Sequence, residues 1–139
     1  MSVTEAEVRT LFSKLEAGDG KEFFKHVADN VDWTVEGTHP LAGRYRSKKD
    51  FFDHTFERLN QILPGGTQLH VQAIHTSGNW AIVELRSMAT ARNGMRFDNR
   101  YCWVMRFDKG IIVEVRAYLV SALVAKVIEQ NPTDFRVNA

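Results

Sequence analysis

The stretch Asn99-Arg-Tyr-Cys-Trp-Val-Met-Arg-Phe-Asp-Lys-Gly-Ile-Ile-Val-Glu-Val-Arg-Ala-Tyr118 constrains this chain more than any other. Tyr101, Trp103, Met105 and Phe107 recur at every second position. Ile111, Val113, Val115, Ala117 and Leu119 do the same after Asp108-Lys109-Gly110. Alternation of that length predicts two strands, each with one face in a core. Asp-Lys-Gly fits a type I turn closed by a glycine in the left-handed region, so the two strands form a hairpin. Three aromatic rings and a methionine on one face make a wall that serves either as core or as the side of a pocket.

The preceding segments supply the partners of that hairpin. Strands are expected over about 67–77, 80–92 and 95–108, joined at Gly78-Asn79 and Asn93-Gly94, the second a strong hairpin signal. Val31, Trp33 and Val35 alternate with Asp32, Thr34 and Glu36, which adds a strand earlier in the chain. The first half is otherwise helical. Thr4 stands three residues before Glu7 in capping-box spacing, and Val8, Leu11, Phe12 and Leu15 follow at helical spacing, so a helix is predicted over 4–17. Gly18-Asp19-Gly20 stops it. Phe23, Phe24 and Val27 suggest a short helix over 21–28, and Ser47 caps another running to about Leu63 before Pro64-Gly65-Gly66. A last helix is expected over 121–130, ahead of Pro132.

Helices first and a strand meander after them give the α+β class. The expected architecture is a cone: a curved antiparallel sheet of four or five strands wrapped around three N-terminal helices. Helices cannot fill the deepest part of a strongly bent sheet, so an internal pocket is expected between the layers. The 139 residues suit a single domain, 1–139, with one core.

Composition removes several function classes. Eighteen basic and 17 acidic residues leave a formal charge of +1, which gives no electrostatic case for nucleic acid or an anionic membrane. No apolar run approaches the ~20 residues a membrane span needs. Ser2-Val-Thr-Glu begins without a basic and apolar leader pattern, and the single Cys102 cannot form an internal disulfide, so a cytoplasmic setting is expected. The five histidines show no zinc spacing, and no metal or cofactor is expected.

Several short patterns, in order, resemble the nuclear transport factor 2-like superfamily, in its SnoaL-like and ketosteroid-isomerase-like branch. They are Leu15-Glu-Ala-Gly-Asp19, Phe24 through Asn30-Val-Asp-Trp33, His39-Pro-Leu-Ala-Gly43, and the hairpin from Trp103 to Tyr118. The resemblance implies a cystatin-like cone, a small-molecule ligand and a homodimer built through the sheet face. Reactions in this superfamily include isomerisation, ring closure and dehydration, so the fold alone does not choose one. The steroid isomerase mechanism needs a carboxylate base and an oxyanion hole of a tyrosine and a protonated aspartate. The matching segments put Leu11 in the tyrosine's place, Gly37 at or near the base's and Trp103 in the aspartate's. That mechanism is therefore not expected. SnoaL-like cyclases usually carry an aspartate two residues after the last strand's tyrosine, and here Val120 stands there.

The remaining candidates come from the residues themselves. Glu84 and Arg86 share a strand face with Trp80 and Met88. If that face looks inward, Glu84 is a general base in an apolar cavity and Arg86 its electrostatic partner. If it looks outward, the pair belongs to a surface or a dimer interface, and the more apolar Ala81, Val83, Leu85 and Ala89 face the core. His39, in the loop after the Trp33 strand, is a candidate acid or base because its ordinary pKa is ~6.5, or else only a hydrogen-bonding loop residue. Asn99, Tyr101 and Trp103 on one strand face, with Trp33, Tyr45 and Met88, would orient a planar ligand, or else pack as core. The function expected is that of a small-molecule-binding protein. It acts either as a cofactor-independent acid–base enzyme on a compact apolar or aromatic ligand, or as a non-catalytic ligand-binding or dimeric interaction module.

Overall fold

The computed structural model describes residues 2–132. Helix α1 covers Glu5–Glu16, and Thr4 caps it as its spacing predicts: its hydroxyl oxygen accepts the Glu7 N–H at 3.1 Å and donates to the Glu7 carboxylate at 3.0 Å. Its buried face is Val8, Phe12 and Leu15. Helix α2 is shorter than expected, Gly20–Phe24, and the chain turns directly into strand β1, Val27–Val35. Val27 and Ala28 therefore lie in the sheet. Apolar Val27 faces the core from a strand as readily as from a helix, which is why periodicity over so few residues did not separate them.

The helix predicted from Ser47 to Leu63 is two. After the short strand β2, Gly43–Tyr45, helix α3 runs Lys48–His54 and α4 runs Phe56–Ile62. They break at Thr55, whose φ of −120° and ψ of −76° depart from the regular helix values of about −63° and −42°. The Thr55 hydroxyl donates to the Phe51 carbonyl at 2.6 Å, a back-bond of the kind that bends helices. The break lets Phe51 and Phe56 both turn toward the sheet.

Strands β3, Leu69–Ser77, and β4, Trp80–Ser87, pair through a two-residue turn at Gly78-Asn79. The long strands expected next are interrupted at Met88 and at Asp98-Asn99. Two-residue strands β5, Ala89–Thr90, and β6, Arg96–Phe97, form their own ribbon around Asn93-Gly94. Strands β7, Arg100–Asp108, and β8, Ile111–Leu119, are the predicted hairpin. Its turn differs in type. Lys109 and Gly110 both have positive φ, 51° and 81°, which is the type I′ form whose twist matches a two-residue hairpin. Helix α5, Ser121–Gln130, closes the described chain.

The main sheet has six strands in the order β2-β1-β8-β7-β4-β3. All neighbours are antiparallel except β1 and β8, which run parallel and join the first half of the chain to the last. Rows across the inner face can be read from the register: Val83, Trp103, Ala117 and Val35 in one, Ala81, Met105, Val115 and Trp33 in the next. Helices α1, α2 and α3 cover them in one apolar cluster. A second cluster joins α4, α5 and the β5–β6 ribbon through Leu59, Ile62, Val124, Val127 and Phe97.

Candidate functional site: an apolar cavity at the seam of two clusters

The two clusters do not close on each other completely. Between them lies a cavity of about 50 Å³. Trp33, Val35, Tyr101, Trp103, Ala117 and Leu119 face it from the sheet. Phe51, Thr55, Phe56, Leu59 and Val124 face it from the helices, with Leu41, Thr67 and Leu69 at the ends. Rigid rings make its walls. Trp33 stacks on Phe51 at 3.8 Å between ring centres and meets Trp103 edge-on at 5.2 Å.

Few polar groups reach this space, and their state decides what it can do. Trp33 lines the cavity and is fully buried, and its indole N–H has no hydrogen-bond partner among the described residues. An unmet buried donor costs about 1–3 kcal/mol. Among the described residues of the lining, Tyr101 is the one ionisable group. Its hydroxyl lies 3.4 Å from Ser87 Oγ. Burial pushes the phenol up to about 12, with Ser87 and Asn99 pulling the other way. It is therefore neutral near pH 7 and able to donate a hydrogen bond. Ser87 also accepts the Asn99 backbone N–H at 3.1 Å, at the corner where β4 gives way to the ribbon. The Asn99 side chain is fully buried there. Its carbonyl oxygen accepts the Arg100 N–H at 2.9 Å, while its amide nitrogen lacks a hydrogen bond of good geometry among the described residues.

The residues singled out in the sequence fall into two groups. Trp33, Tyr101 and Trp103 come together around the cavity, while Asn99 is not in its lining and donates its backbone N–H to Ser87 Oγ. Tyr45 stands one shell out, its ring against Phe51 and its hydroxyl donating to the Leu41 carbonyl at 2.8 Å. Glu84, Arg86 and Met88 are not at the cavity. The buried positions of β4 are Ala81, Val83, Leu85 and Ser87, so the alternate residues face outward. Glu84 is half exposed and bonds His75 across the outer face at 2.9 Å. Met88 is 51% exposed. The reading of Glu84 and Arg86 as a pocket-borne base and its partner is thus corrected: the more apolar face took the core, as hydrophobic burial requires.

His39 is buried, yet both of its nitrogens are engaged. Nδ1 accepts the Leu41 N–H at 3.1 Å, which leaves Nε2 protonated and donating to the Glu36 carbonyl at 3.1 Å. Burial pushes its pKa below the ordinary value, and the Glu36 carbonyl only partly opposes this. A ring so occupied has no lone pair to offer a substrate proton and serves to hold its loop. The sign of its pH effect follows. A depressed folded pKa stabilises the protein above the unfolded value of ~6.5, and that stability is lost as pH falls through the folded pKa. The urea midpoint of the wild type is expected to fall between pH 7.5 and pH 5 by more than that of His39→Ala. Parallel profiles would refute the assignment.

Three contributors were missed in the sequence. Ser87 continues the inward series Val83, Leu85, so period two alone would have placed it. Thr67 and Thr55 carry no such signal, because a loop and a helix break put them at the cavity. Among the described residues, no group of three histidine, cysteine, aspartate or glutamate side chains is placed to hold a metal. No helix there is long and apolar enough to cross a membrane.

A curved, unclosed α+β sheet with helices over its concave face and an apolar cavity beneath them defines the nuclear transport factor 2-like class of cones. The chain belongs to the SnoaL-like domain family, which matches residues 8–115. It is 29% identical over 133 residues to the dimerizing cyclase phiC of Fungal sp. (strain ATCC 74256), across 93% of this chain and 58% of that protein. It is 28% identical over 117 residues to the dimerizing cyclase tstC of Talaromyces stipitatus, across 81% of this chain and 52% of that protein. The chain thus spans little more than half the length of these curated relatives. Among solved structures it is similar to an NTF2-like protein from Burkholderia thailandensis E264, with a TM-score of 0.76 and 27% identity over 88% of this chain and 95% of the other.

Proposed function

We propose that this protein binds a compact apolar ligand bearing a carbonyl group and promotes cyclase- or isomerase-like chemistry on it. The observation that carries the reading is the pairing of two buried neutral donors, Tyr101 Oη and Trp33 Nε1, with an otherwise apolar aromatic cavity. Neutral donors in a dry site stabilise negative charge developing on a carbonyl oxygen. Rigid walls of Trp33, Trp103 and Phe51 hold a flexible ligand folded, and orientation alone lowers a ring-closure barrier. The names of the two cyclase relatives support the reaction class. Among the described residues no carboxylate lines the cavity, so the role proposed for this chain is to polarise and orient. Glu84, Arg86 and His39 take no part in it.

The test is a pair of variants assayed on carbonyl-bearing cyclisation substrates. Tyr101→Phe is expected to lower turnover about 10²–10³-fold, the usual cost of one donor to a developing oxyanion. Glu84→Gln is expected to leave it unchanged. Turnover lost in Glu84→Gln and kept in Tyr101→Phe would sink the proposal. Binding without turnover in the wild type would leave a ligand-binding module.

We further propose a homodimer through the outer sheet face, because Ile82 and Tyr118 are exposed there on either side of Cys102 and Val104. Light scattering decides it, and a strict monomer at high concentration would refute it.

A further inference from the structure

Phe56 and Thr67 face two spaces at once. On one side they line the inner cavity of about 50 Å³. On the other they line a surface bowl of about 240 Å³, walled by the Gly18–Lys21 turn, Glu57, Asn60 and Gly66. Phe56 stands between them, its ring stacked on Phe52 at 6.2 Å and edge-on to Phe24 at 5.3 Å and Phe51 at 5.9 Å, and Thr67, which shares both linings, donates from Oγ1 to Asn60 Oδ1 at 3.1 Å. Phe56 opens the first turn of α4, directly after the break at Thr55.

We propose that the bowl is the outer half of the ligand site and that Phe56, latched by the Thr67–Asn60 bond, is the gate between the halves. The inference rests on the ligand-binding reading above. The inner cavity is smaller than the ~150 Å³ that admits benzene in an engineered core. An aromatic ligand therefore needs more room than the closed state gives, and moving Phe56 joins the cavity to the bowl.

The chemistry of the bowl names the ligand class. Its charges are of both signs, Lys21 against Asp19 and Glu57, so it does not select an anion or a cation. Asp19 already accepts the Glu22 N–H at 3.1 Å as a helix cap. The groups that become available on opening are the two that form the latch, a hydroxyl and an amide. They suit an uncharged oxygen-bearing tail, a hydroxyl or an ether, on a flat apolar body. The ligand's tail thus takes over the bond that held the gate shut.

The experiment is stopped-flow tryptophan fluorescence with three probes: naphthalene, 2-(2-naphthyloxy)ethanol and 2-naphthoxyacetate. The neutral tailed probe is expected to bind roughly three- to tenfold more tightly than either other one, the worth of one ordinary hydrogen bond. Thr67→Val keeps the side-chain shape and removes the latch. It is expected to raise the association rate constant by a similar factor and to abolish the preference for the tail. Phe56→Ala, checked for folding by circular dichroism, is expected to raise that rate further. Leu119→Trp fills the inner cavity and is expected to block every probe. Binding blocked by Leu119→Trp but indifferent to Thr67→Val and Phe56→Ala would overturn the gate and leave the cavity reading standing. Failure of all three probes to bind any of these proteins would overturn the gate and its outer half-site, and 2-acetonaphthone, which bears the carbonyl of the reading above, then tests the inner cavity by itself.

Discussion

Trp103→Ala is expected to destabilise the fold by about 3–5 kcal/mol, the usual cost of truncating a buried tryptophan. Trp103 is 3% exposed and sits where three layers meet. Its ring meets Phe12 of α1 at 5.8 Å, Phe23 of α2 at 6.3 Å and Trp33 of β1 at 5.2 Å. Alanine removes these contacts together, and the rings cannot collapse into the gap because each is also held by others, Trp33 by Phe51 among them. Urea denaturation at neutral pH measures the loss. A useful comparison is Trp80→Ala, on the outer face, where Arg116 lies 5.1 Å over the ring. That cation–π contact is worth about 0.5–1 kcal/mol at an exposed site. If both substitutions cost the same, the assignment of inner and outer faces is wrong.

Gly37→Ala is expected to cost about 3 kcal/mol, although glycine to alanine is usually mild. Two effects add. Gly37 has φ of +122°, where a side chain is strained by about 1–3 kcal/mol. A Cβ there would also lie 2.2 Å from Ser121 Oγ and 2.9 Å from His39 Cδ2. Overpacking of that kind costs about 1–3 kcal/mol. Ser121→Gly in the same chain is expected to restore the part due to the clash and leave the part due to φ. No restoration in the double variant would mean that α5 does not dock on this loop. The same geometry bears on chemistry. At Gly37, where the sequence resemblance expects the isomerase base, a Cβ would already meet Ser121 Oγ of α5 at 2.2 Å.

The class, the helix caps, the β7–β8 hairpin and the aromatic row were legible in the chain because each rests on local periodicity or spacing. Thr4 and Ser47 cap helices through bonds that span three residues. The row of Tyr101, Trp103, Met105 and Phe107 repeats with the pleat of a strand. The break at Thr55 was not legible, since Phe51, Phe52, Phe56, Leu59 and Leu63 keep a helical spacing across it. The bend at Met88 was hidden in the same way, because alternation continues on either side.

The site divides along the same line. That Trp33, Tyr101 and Trp103 would share a wall follows from alternation within two strands, and the structure needed only to pair them through β8. Which face of β4 turns inward was a contest between Ala81, Val83 and Leu85 on one side and Trp80, Glu84 and Arg86 on the other. Only packing in the cluster between sheet and helices decided it, in favour of the side whose burial leaves no charge to desolvate. His39 likewise read as an acid or base until Leu41 and Glu36 claimed both of its nitrogens. Sequence by itself determined which residues are apolar, where strands alternate and where helices begin. Tertiary structure decided what those residues enclose, because the cavity exists only where segments far apart in the chain fail to close on one another.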